Sequence, residues 1–404
     1  MTTGTTATVA DERLKTPLAC VLAGTGLRMS AFRGVQTVAA LADEATEMAA
    51  ALDGAAVHDL GWQRRVAVTG EDRMRWLNGM VTNNVAGLNA TEAGRGAGNY
   101  NLVLNAQGRI QGDCRVWRTG DDREERLELE IAADQFAALT GHLERFIIMD
   151  DVELKPLVGW TALGVTGPKA GDVLTALVLD VSSLAVSRLD AMPEGTSVEA
   201  RLSTVADAEI PLLVRREGGW SGTGRRSDHW ALWCREEDAA ALWSALQRVG
   251  ATAVGCETVE RLRILEGVPV FGVDFAGDVL PQETAIEDAL HFAKGCYLGQ
   301  EIVERIRSRG QVHRHLRMLE IFPDGQEPTV GLELSWEPGR ADGDAKSAAK
   351  LTSVTSLEMD GVRRWFAMGM VRVGSRELET GELKYAGGRA RIVKSALART
   401  RQPN

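Results

Sequence analysis

The pattern of apolar residues changes near Leu316, and this change limits the folds open to the chain. Before that residue, helix-type and strand-type segments alternate, and a helix predicted over residues 36–55 is the first long one. After it, short strand-like runs such as "LRMLEIF" and "RRWFAMGMVRV" follow one another. We therefore predict a flexible tail over residues 1–12, an α+β region over 13–315 and a small β-barrel over 316–404.

Two strand–helix units indicate two subdomains within the α+β region. "RRVAVTGEDRMRWLNGM" runs from an alternating strand through Gly70 into a helix, and "TALGVTGPKAGDVLTAL" has the same order. The similarity favours a duplicated module, although the match is short enough that chance explains it equally well. Between the two units, apolar runs on either side of Asn105–Gly108 predict a β-hairpin.

The composition argues against several classes of protein. The net charge of −10 disfavours a broad nucleic-acid-binding surface. No apolar run is long enough to span a membrane, and the N-terminal segment does not have the pattern of a signal peptide. The five cysteines are scattered without a CxxC pair, so we expect neither a disulfide framework nor a local metal site. A cytoplasmic protein without nucleic-acid or membrane partners fits these observations best.

One cysteine lies in an unusual setting, within "HFAKGCYLGQEIVERIRSRG". An apolar stripe at four-residue spacing predicts a helix that starts near Gly299 or Gln300. Cys296 then precedes a helix N-terminus and lies two residues from Lys294, and both features favour the thiolate. The alternative is that Cys296 is a small buried residue in a turn, as most lone cysteines are.

A Cys–His dyad is a further reading of the same segment, because three histidines are close in sequence, namely His291, His313 and His315. Proximity in sequence is weak support for proximity in space, so a protease-like dyad is the least favoured of the readings.

The segment also resembles a known signature. "KGCYLGQE" is similar to the K-G-C-[YF]-x-G-Q-E motif of the YgfZ-type folate-binding proteins, relatives of the glycine cleavage T-protein (aminomethyltransferase) that support iron–sulfur enzymes. "LNAQGRIQGDCRVWR" resembles the T-protein hairpin that carries folate-facing acids, and "VERLRILEGVPVFGVDF" resembles another conserved T-protein segment. The resemblance implies a three-domain cloverleaf around a central folate pocket, with a C-terminal β-barrel.

The resemblance also implies roles for individual residues. Asp113 becomes the candidate for a pterin-facing acid, with a solvated turn acid as the alternative. Arg263 matches an arginine that meets the glutamate tail of folate, with an exposed helix arginine as the alternative. Cys296 becomes a functional thiol. The remaining signature residues are candidates either for ligand contact or for purely structural roles: Lys294 beside the thiol, Tyr297 stacking on a planar ring, and Gln300 and Glu301 at the helix start.

Two departures from the T-protein pattern bear on activity. The hairpin carries Gly112-Asp113 where the T-protein has two aspartates. "SGTGRRSDHWALW" lacks the glutamate expected to meet the pterin. Because aminomethyl transfer needs a positioned acid for proton movement, these losses argue against the full reaction.

Three functions follow as hypotheses. The leading one is a tetrahydrofolate-dependent accessory protein that assembles or repairs iron–sulfur client enzymes through Cys296. The alternative is a folate-dependent aminomethyltransferase or demethylase, so enzymatic activity is left open. The third is a folate-free scaffold whose barrel binds a partner. Tryptophans such as Trp160 and Trp220 are candidates for such an interface, with burial in the core as the alternative.

Overall fold

The chain forms one long antiparallel-rich sheet, a closed barrel and eight α-helices within the residues described. The computed structural model describes residues 14–88, 95–119, 126–177, 179–181, 189, 192–203, 209–217, 229–310, 312–336, 347–359, 361–372, 382–394 and 396. The predicted tail over 1–12 and Trp220 lie outside these ranges. The helices are α1 (Pro17–Leu22), α2 (Glu44–Asp53), α3 (Arg73–Met80), α4 (Phe136–Glu144), α5 (Ala170–Ala176), α6 (Ala239–Arg248), α7 (Cys256–Leu265) and α8 (Gln300–Arg309).

Fourteen strands form the hairpin and the long sheet. They are β1 (Met29–Phe32), β2 (Val35–Val38), β3 (Ala56–Asp59), β4 (Gln63–Thr69), β5 (Arg95–Leu104), β6 (Ile110–Thr119), β7 (Arg126–Ala132), β8 (Glu153–Pro156), β9 (Trp160–Thr166), β10 (Leu179–Val181), β11 (Thr196–Ser203), β12 (Glu209–Arg216), β13 (His229–Arg235) and β14 (Thr252–Ala253). β1 and β2 pair as a separate hairpin. The long sheet has the order β14-β3-β9-β13-β12-β11-β5-β6-β7-β4-β8, and β10 pairs with β11.

Six further strands close the predicted barrel, in the order β15-β18-β17-β16-β19-β20. They are β15 (Arg314–Pro323), β16 (Glu333–Trp336), β17 (Ala349–Met359), β18 (Val362–Arg372), β19 (Glu382–Tyr385) and β20 (Gly388–Val393). The α+β class and the C-terminal barrel are therefore confirmed, while the domain boundaries themselves stay a prediction.

The helix predicted over 36–55 is wrong in its first half. The structure has strand β2 there, and α2 begins only at Glu44. Asp43 caps this helix, since its carboxylate accepts a hydrogen bond of 3.0 Å from the backbone N–H of Thr46. The capping signal lies inside the alanine-rich run, so composition alone placed the helix start too early.

The turn predicted at Asn105–Gly108 is confirmed and also supports the cysteine segment. The Asn105 side chain accepts hydrogen bonds from the backbone N–H groups of Gln107 (3.0 Å) and Arg109 (2.9 Å). Gly299, which precedes α8 with φ +80°, packs on this turn, and a Cβ there would lie 2.5 Å from the Asn105 carbonyl oxygen. The hairpin tip and the start of α8 are thus in direct contact.

A buried charge network joins the two halves of the long sheet. Arg215 is fully buried and pairs with Glu128 and Glu130, both at 2.5 Å. Arg65 binds Glu128 through two nitrogens, and Glu130 also accepts hydrogen bonds from the indole N–H groups of two tryptophans, Trp117 and Trp233. Because every carboxylate has charged or hydrogen-bonding partners, these ions can remain charged in the interior.

None of the described helices has the length and apolarity needed to cross a membrane.

Candidate functional site

A cleft of about 110 Å³ lies where three parts of the fold meet. The tip of the β1–β2 hairpin, strands of the long sheet, and α7 with residues 268–270 form its walls. Its polar lining includes Asp113, Arg115, Glu130 and Arg263. Pockets that bury a whole drug-sized ligand measure roughly 300–1,000 Å³, so this volume suits a single ring system. We call it the Asp113 cleft.

Asp113 is held in a fixed orientation by two neighbours. The Tyr100 hydroxyl donates a hydrogen bond of 2.6 Å to Oδ2, and the Gln135 side-chain amide donates to Oδ1. Gln135 Oε1 in turn accepts the backbone N–H of Asp113 at 3.0 Å. Burial of the Tyr100 hydroxyl, together with the Asp113 charge, raises the pKa of Tyr100, so the phenol remains a donor. A carboxylate offers about four acceptor positions, which leaves capacity toward the cleft.

Close packing around residue 112 favours glycine there, which the sequence alone did not reveal. A Cβ at this position would lie 2.8 Å from Gln135 Oε1 and 2.8 Å from a methyl carbon of Leu139. A second aspartate at this position would therefore require both of these side chains to shift.

Three buried polar atoms at the cleft have no hydrogen-bond partner within the described ranges. They are Trp62 Nε1, Gln63 Oε1 and Arg33 Nε. Buried polar groups are normally paired, so these three atoms are an unusual feature of the residues that line the cleft.

Arg263 lines the cleft but is engaged by the protein itself. Its guanidinium donates to both carboxylate oxygens of Glu260, to Asp274 at 2.7 Å, to Ser353 at 2.9 Å and to the Val268 carbonyl at 3.1 Å. These contacts use all five N–H donors of an arginine. Arg263 is also 5% exposed rather than an exposed helix residue. Its role in binding a folate tail stays a prediction, and the contacts favour a structural role.

Lys294 is buried and bonded to the backbone, and its expected influence on the Cys296 thiol stays a prediction. Its ammonium donates to three backbone carbonyl oxygens, those of Asn78 (2.6 Å), Val81 (2.7 Å) and Asn83 (2.5 Å). It thereby satisfies groups at the end of α3 that have no helical partner. Burial lowers the pKa of Lys294 to about 7.

Cys296 lies outside the lining of the Asp113 cleft. Its side chain is exposed, so the buried alternative is wrong for this residue. α8 begins at Gln300, which leaves the cysteine four residues before the first helical position rather than at the helix end. The effect of the helix dipole is strongest within the first turn, so this part of the thiolate argument is weakened.

The other signature residues shape the turn. Tyr297 is buried in an apolar cluster with Leu102 and Ile110, so its ring packs in the core instead of facing the cleft. Gln300 Oε1 accepts the backbone N–H of Tyr297 at 3.2 Å and ties the turn to α8. Glu301 is exposed. The structure thus brings Asp113 and Arg263 to one cleft and places the other five predicted residues elsewhere.

Comparison with known proteins shows which family this chain belongs to. Residues 25–294 match the model of the GCVT N-terminal domain, which is more than half of the chain. The chain belongs to the GCVT family. The match ends at Lys294, so Cys296 and the residues after it lie beyond the matched region.

Similar curated proteins are aminomethyltransferases. The one from Geobacillus kaustophilus is 27% identical over 334 residues, covering 78% of this chain and 84% of the relative. The one from Anoxybacillus flavithermus is 27% identical over 310 residues, covering 74% and 77%. The crystal structure of glycine cleavage system aminomethyltransferase T from Bartonella henselae superimposes with a TM-score of 0.73 at 19% identity, covering 94% of this chain and 96% of that one. The T-protein-like fold is therefore confirmed.

Sequence reasoning missed most of the residues that line the Asp113 cleft. Phe32 and Arg33 come from the β1–β2 hairpin, and Trp62 and Gln63 from the start of β4. Arg33 and Gly34 both have positive φ (48° and 85°), and the Arg-Gly pair was the available signal for a tight turn. The segment expected to carry a pterin-facing glutamate begins outside the described residues, which resume at His229.

Proposed function

We propose that this GCVT-family chain binds the ring system of a tetrahydrofolate in the Asp113 cleft and transfers an aminomethyl-type one-carbon unit. The observation that carries this proposal is the carboxylate of Asp113, held by Tyr100 and Gln135 at the edge of a ring-sized cleft. The aminomethyltransferase relatives support the same reading. This was the alternative hypothesis from the sequence, and the comparisons support it better than an iron–sulfur role.

The residues present fit such a ligand. Trp62 and Gln63 line the cleft, and their unpaired indole N–H and amide oxygen are of the types that pair with a ring acceptor and a ring N–H. Arg33 stacks over Trp62, with its guanidinium carbon 5.7 Å from the ring centroid, and so helps to fix one wall. Apolar groups at residues 268–270 form the opposite side. This mixture of apolar walls and a few placed polar atoms is typical of small-molecule sites.

Asp113 would act as the proton-handling group. Tetrahydrofolate, when bound, supplies the nitrogens that accept the one-carbon unit. The Tyr100 and Gln135 hydrogen bonds occupy one acceptor position on each carboxylate oxygen of Asp113, and the others are available to a substrate N–H. A fixed carboxylate near a reacting nitrogen can take up or return a proton as bonding changes.

The proposal is tested by mixing the protein with tetrahydrofolate and an aminomethyl-loaded lipoyl carrier and measuring methylene-tetrahydrofolate. We expect turnover by the wild type and a loss of about 10²–10⁴-fold in Asp113→Asn. Asp172→Asn, which changes an exposed acid of α5, is the matched control and should retain activity. An inactive wild type, or an Asp113→Asn variant as active as the wild type, would refute the proposal.

A second candidate function is the YgfZ-type role in maintaining iron–sulfur client enzymes from a cytoplasmic location. One observation favours it: Cys296 is exposed, whereas burial raises the pKa of Cys234 and Cys256 to about 12 and leaves those thiols inert. The described residues contain no group of three or more side chains that could hold a metal ion. Since clusters normally need several thiolates, any ligation would require donors from another molecule.

This second role is tested by complementation of a deletion strain that has lost an iron–sulfur enzyme activity. Wild type and Cys20→Ala, which removes the other exposed cysteine, should restore the activity, and Cys296→Ala should not. Full restoration by Cys296→Ala would rule out a functional role for the Cys296 thiol.

A further inference from the structure

The β1–β2 hairpin, one of the three walls of the Asp113 cleft, is fixed through its backbone at the base but not at the tip. β1 and β2 pair with each other and form a sheet separate from the long one. At the base, the Gln36 backbone N–H donates to the Leu14 carbonyl at 3.2 Å, and the Thr37 hydroxyl donates to Asp59 at 2.7 Å. Among the described residues, no backbone hydrogen bond joins the hairpin tip, residues 32–34, to another part of the chain. The tip is therefore held by side-chain contacts and packing.

Arg33 makes the polar contacts that join the hairpin tip to the other two walls. Its Nη1 donates to the Phe271 carbonyl oxygen at 3.1 Å and lies 3.3 Å from Asp134 Oδ2. Phe271 directly follows residues 268–270, which line the cleft. Asp134 directly precedes Gln135, which lines the cleft from the side of the long sheet. The Arg33 side chain is 9% exposed, so one buried guanidinium connects all three walls.

The backbone at Arg33 has a conformation that side chains disfavour. Its φ of +48° lies in the left-handed region, which only Ala285 shares among the non-glycine residues described. Gly34 follows with φ +85°, and a Cβ there would lie 2.7 Å from the Asp134 backbone nitrogen, so the tip rests directly on that turn. Strained residues persist where the surrounding contacts hold them, and they concentrate at sites that clamp a ligand. The Nη1 contacts of Arg33 supply such a hold.

The other two walls are attached more firmly than the hairpin tip. Most cleft residues of the long sheet lie on β4, β5, β6 and β7, each of which has a neighbouring strand on both sides. Residues 268–270 are fixed to α7, because the Arg263 guanidinium donates to the Val268 carbonyl at 3.1 Å. Moving the hairpin tip, by contrast, breaks the Arg33 contacts and the edge-to-face packing of Phe32 on Trp62 at 5.8 Å. The hairpin tip is therefore the wall that opens with the least disruption.

We propose that Arg33 is a positioning residue that holds the hairpin tip closed over the Asp113 cleft and controls how fast a ligand enters and leaves. The inference rests on the function proposed above, since it concerns the same cleft. When the two Nη1 contacts break, the tip can move away while Asp113 keeps its bonds to Tyr100 and Gln135. A wall that opens for exit also opens for entry, so loss of the Arg33 side chain should speed both steps.

The test is stopped-flow tryptophan fluorescence of the full chain with 5-formyltetrahydrofolate. The dependence of the observed rate on ligand concentration gives the association and dissociation rate constants separately. In Arg33→Gly we expect both constants to rise about tenfold and the dissociation constant to change less than about threefold, because two lost contacts are worth about a factor of ten in an equilibrium constant. Glycine adopts a φ of +48° without strain, so this variant should fold, and urea unfolding followed by circular dichroism checks its stability.

Arg28→Gly is the matched control, since Arg28 precedes β1 at the base of the hairpin and is 63% exposed, and its partner Glu257 does not line the cleft. It should keep both wild-type rate constants. Unchanged rate constants in Arg33→Gly, with or without a loss of stability, would overturn the inference. A rise in the dissociation rate constant alone would also overturn it, because that is the effect of a lost ligand contact. These outcomes leave the proposed function intact, whereas failure of the wild type to bind would refute that function and this inference with it.

Discussion

Replacing Gly112 by alanine tests whether the missing second acid is imposed by packing. The added Cβ would lie 2.8 Å from Gln135 Oε1 and 2.8 Å from a Leu139 methyl carbon. Leu139 is fully buried, so it cannot move into solvent. Forcing one methyl group into a packed interior costs typically 1–3 kcal/mol, and we expect Gly112→Ala to lower the free energy of unfolding by about that amount.

The same change should disturb the cleft, because Gln135 orients Asp113. We expect folate binding to weaken along with stability in Gly112→Ala. Urea unfolding followed by circular dichroism measures the first effect, and ligand titration measures the second.

Gly141→Ala is the matched control on α4, the helix that carries Leu139. A Cβ at Gly141 meets nothing within 4 Å, so this variant should gain about 0.5–1 kcal/mol from helix propensity. The packing argument would be refuted if Gly112→Ala were as stable as the wild type and bound ligand equally well.

Two further perturbations probe the buried charges. Arg215→Met should lower the free energy of unfolding by about 3–5 kcal/mol, because it leaves Glu130 buried without its cation. Arg201→Met, which removes an exposed side chain of β11, should lower it by less than about 1 kcal/mol. Equal losses would contradict this account. Burial lowers the pKa of Lys294 from 10.5 to about 7. Between pH 7 and pH 10.5 the unfolded state therefore binds more protons than the folded state, and the free energy of unfolding should rise with pH from 7 to 9. Lys294→Met should remove that increase, and an unchanged pH profile would show that Lys294 does not titrate in this way.

The fold was largely predictable because its signals are local. The Asn105–Gly108 turn and the α8 apolar stripe each arise from residues that are neighbours in sequence, and both are confirmed. The start of α2 was misplaced because alanine-rich composition extends past the Asp43 cap into a strand.

The candidate site was less predictable because its partners come from distant parts of the chain. Asp113 was found through the hairpin pattern, but Gln135 lies 22 residues further on and its hydrogen bond could not be read from spacing. Arg263 and Lys294 carry the residue types expected of ligand contacts. Their engagement by protein acceptors became visible only when the acids and carbonyls around them were placed.

The most direct test of the account is a titration of the protein with tetrahydrofolate, followed by tryptophan fluorescence. Trp62 lines the Asp113 cleft, so a ring bound there should quench the emission, and Trp62→Phe should remove much of the response. We predict saturable binding by the wild type and an affinity at least about tenfold weaker in Asp113→Asn, with unchanged stability of the fold. Absence of binding by the wild type, or equal affinities for the wild type and Asp113→Asn, would contradict the central claim that folate binds against Asp113.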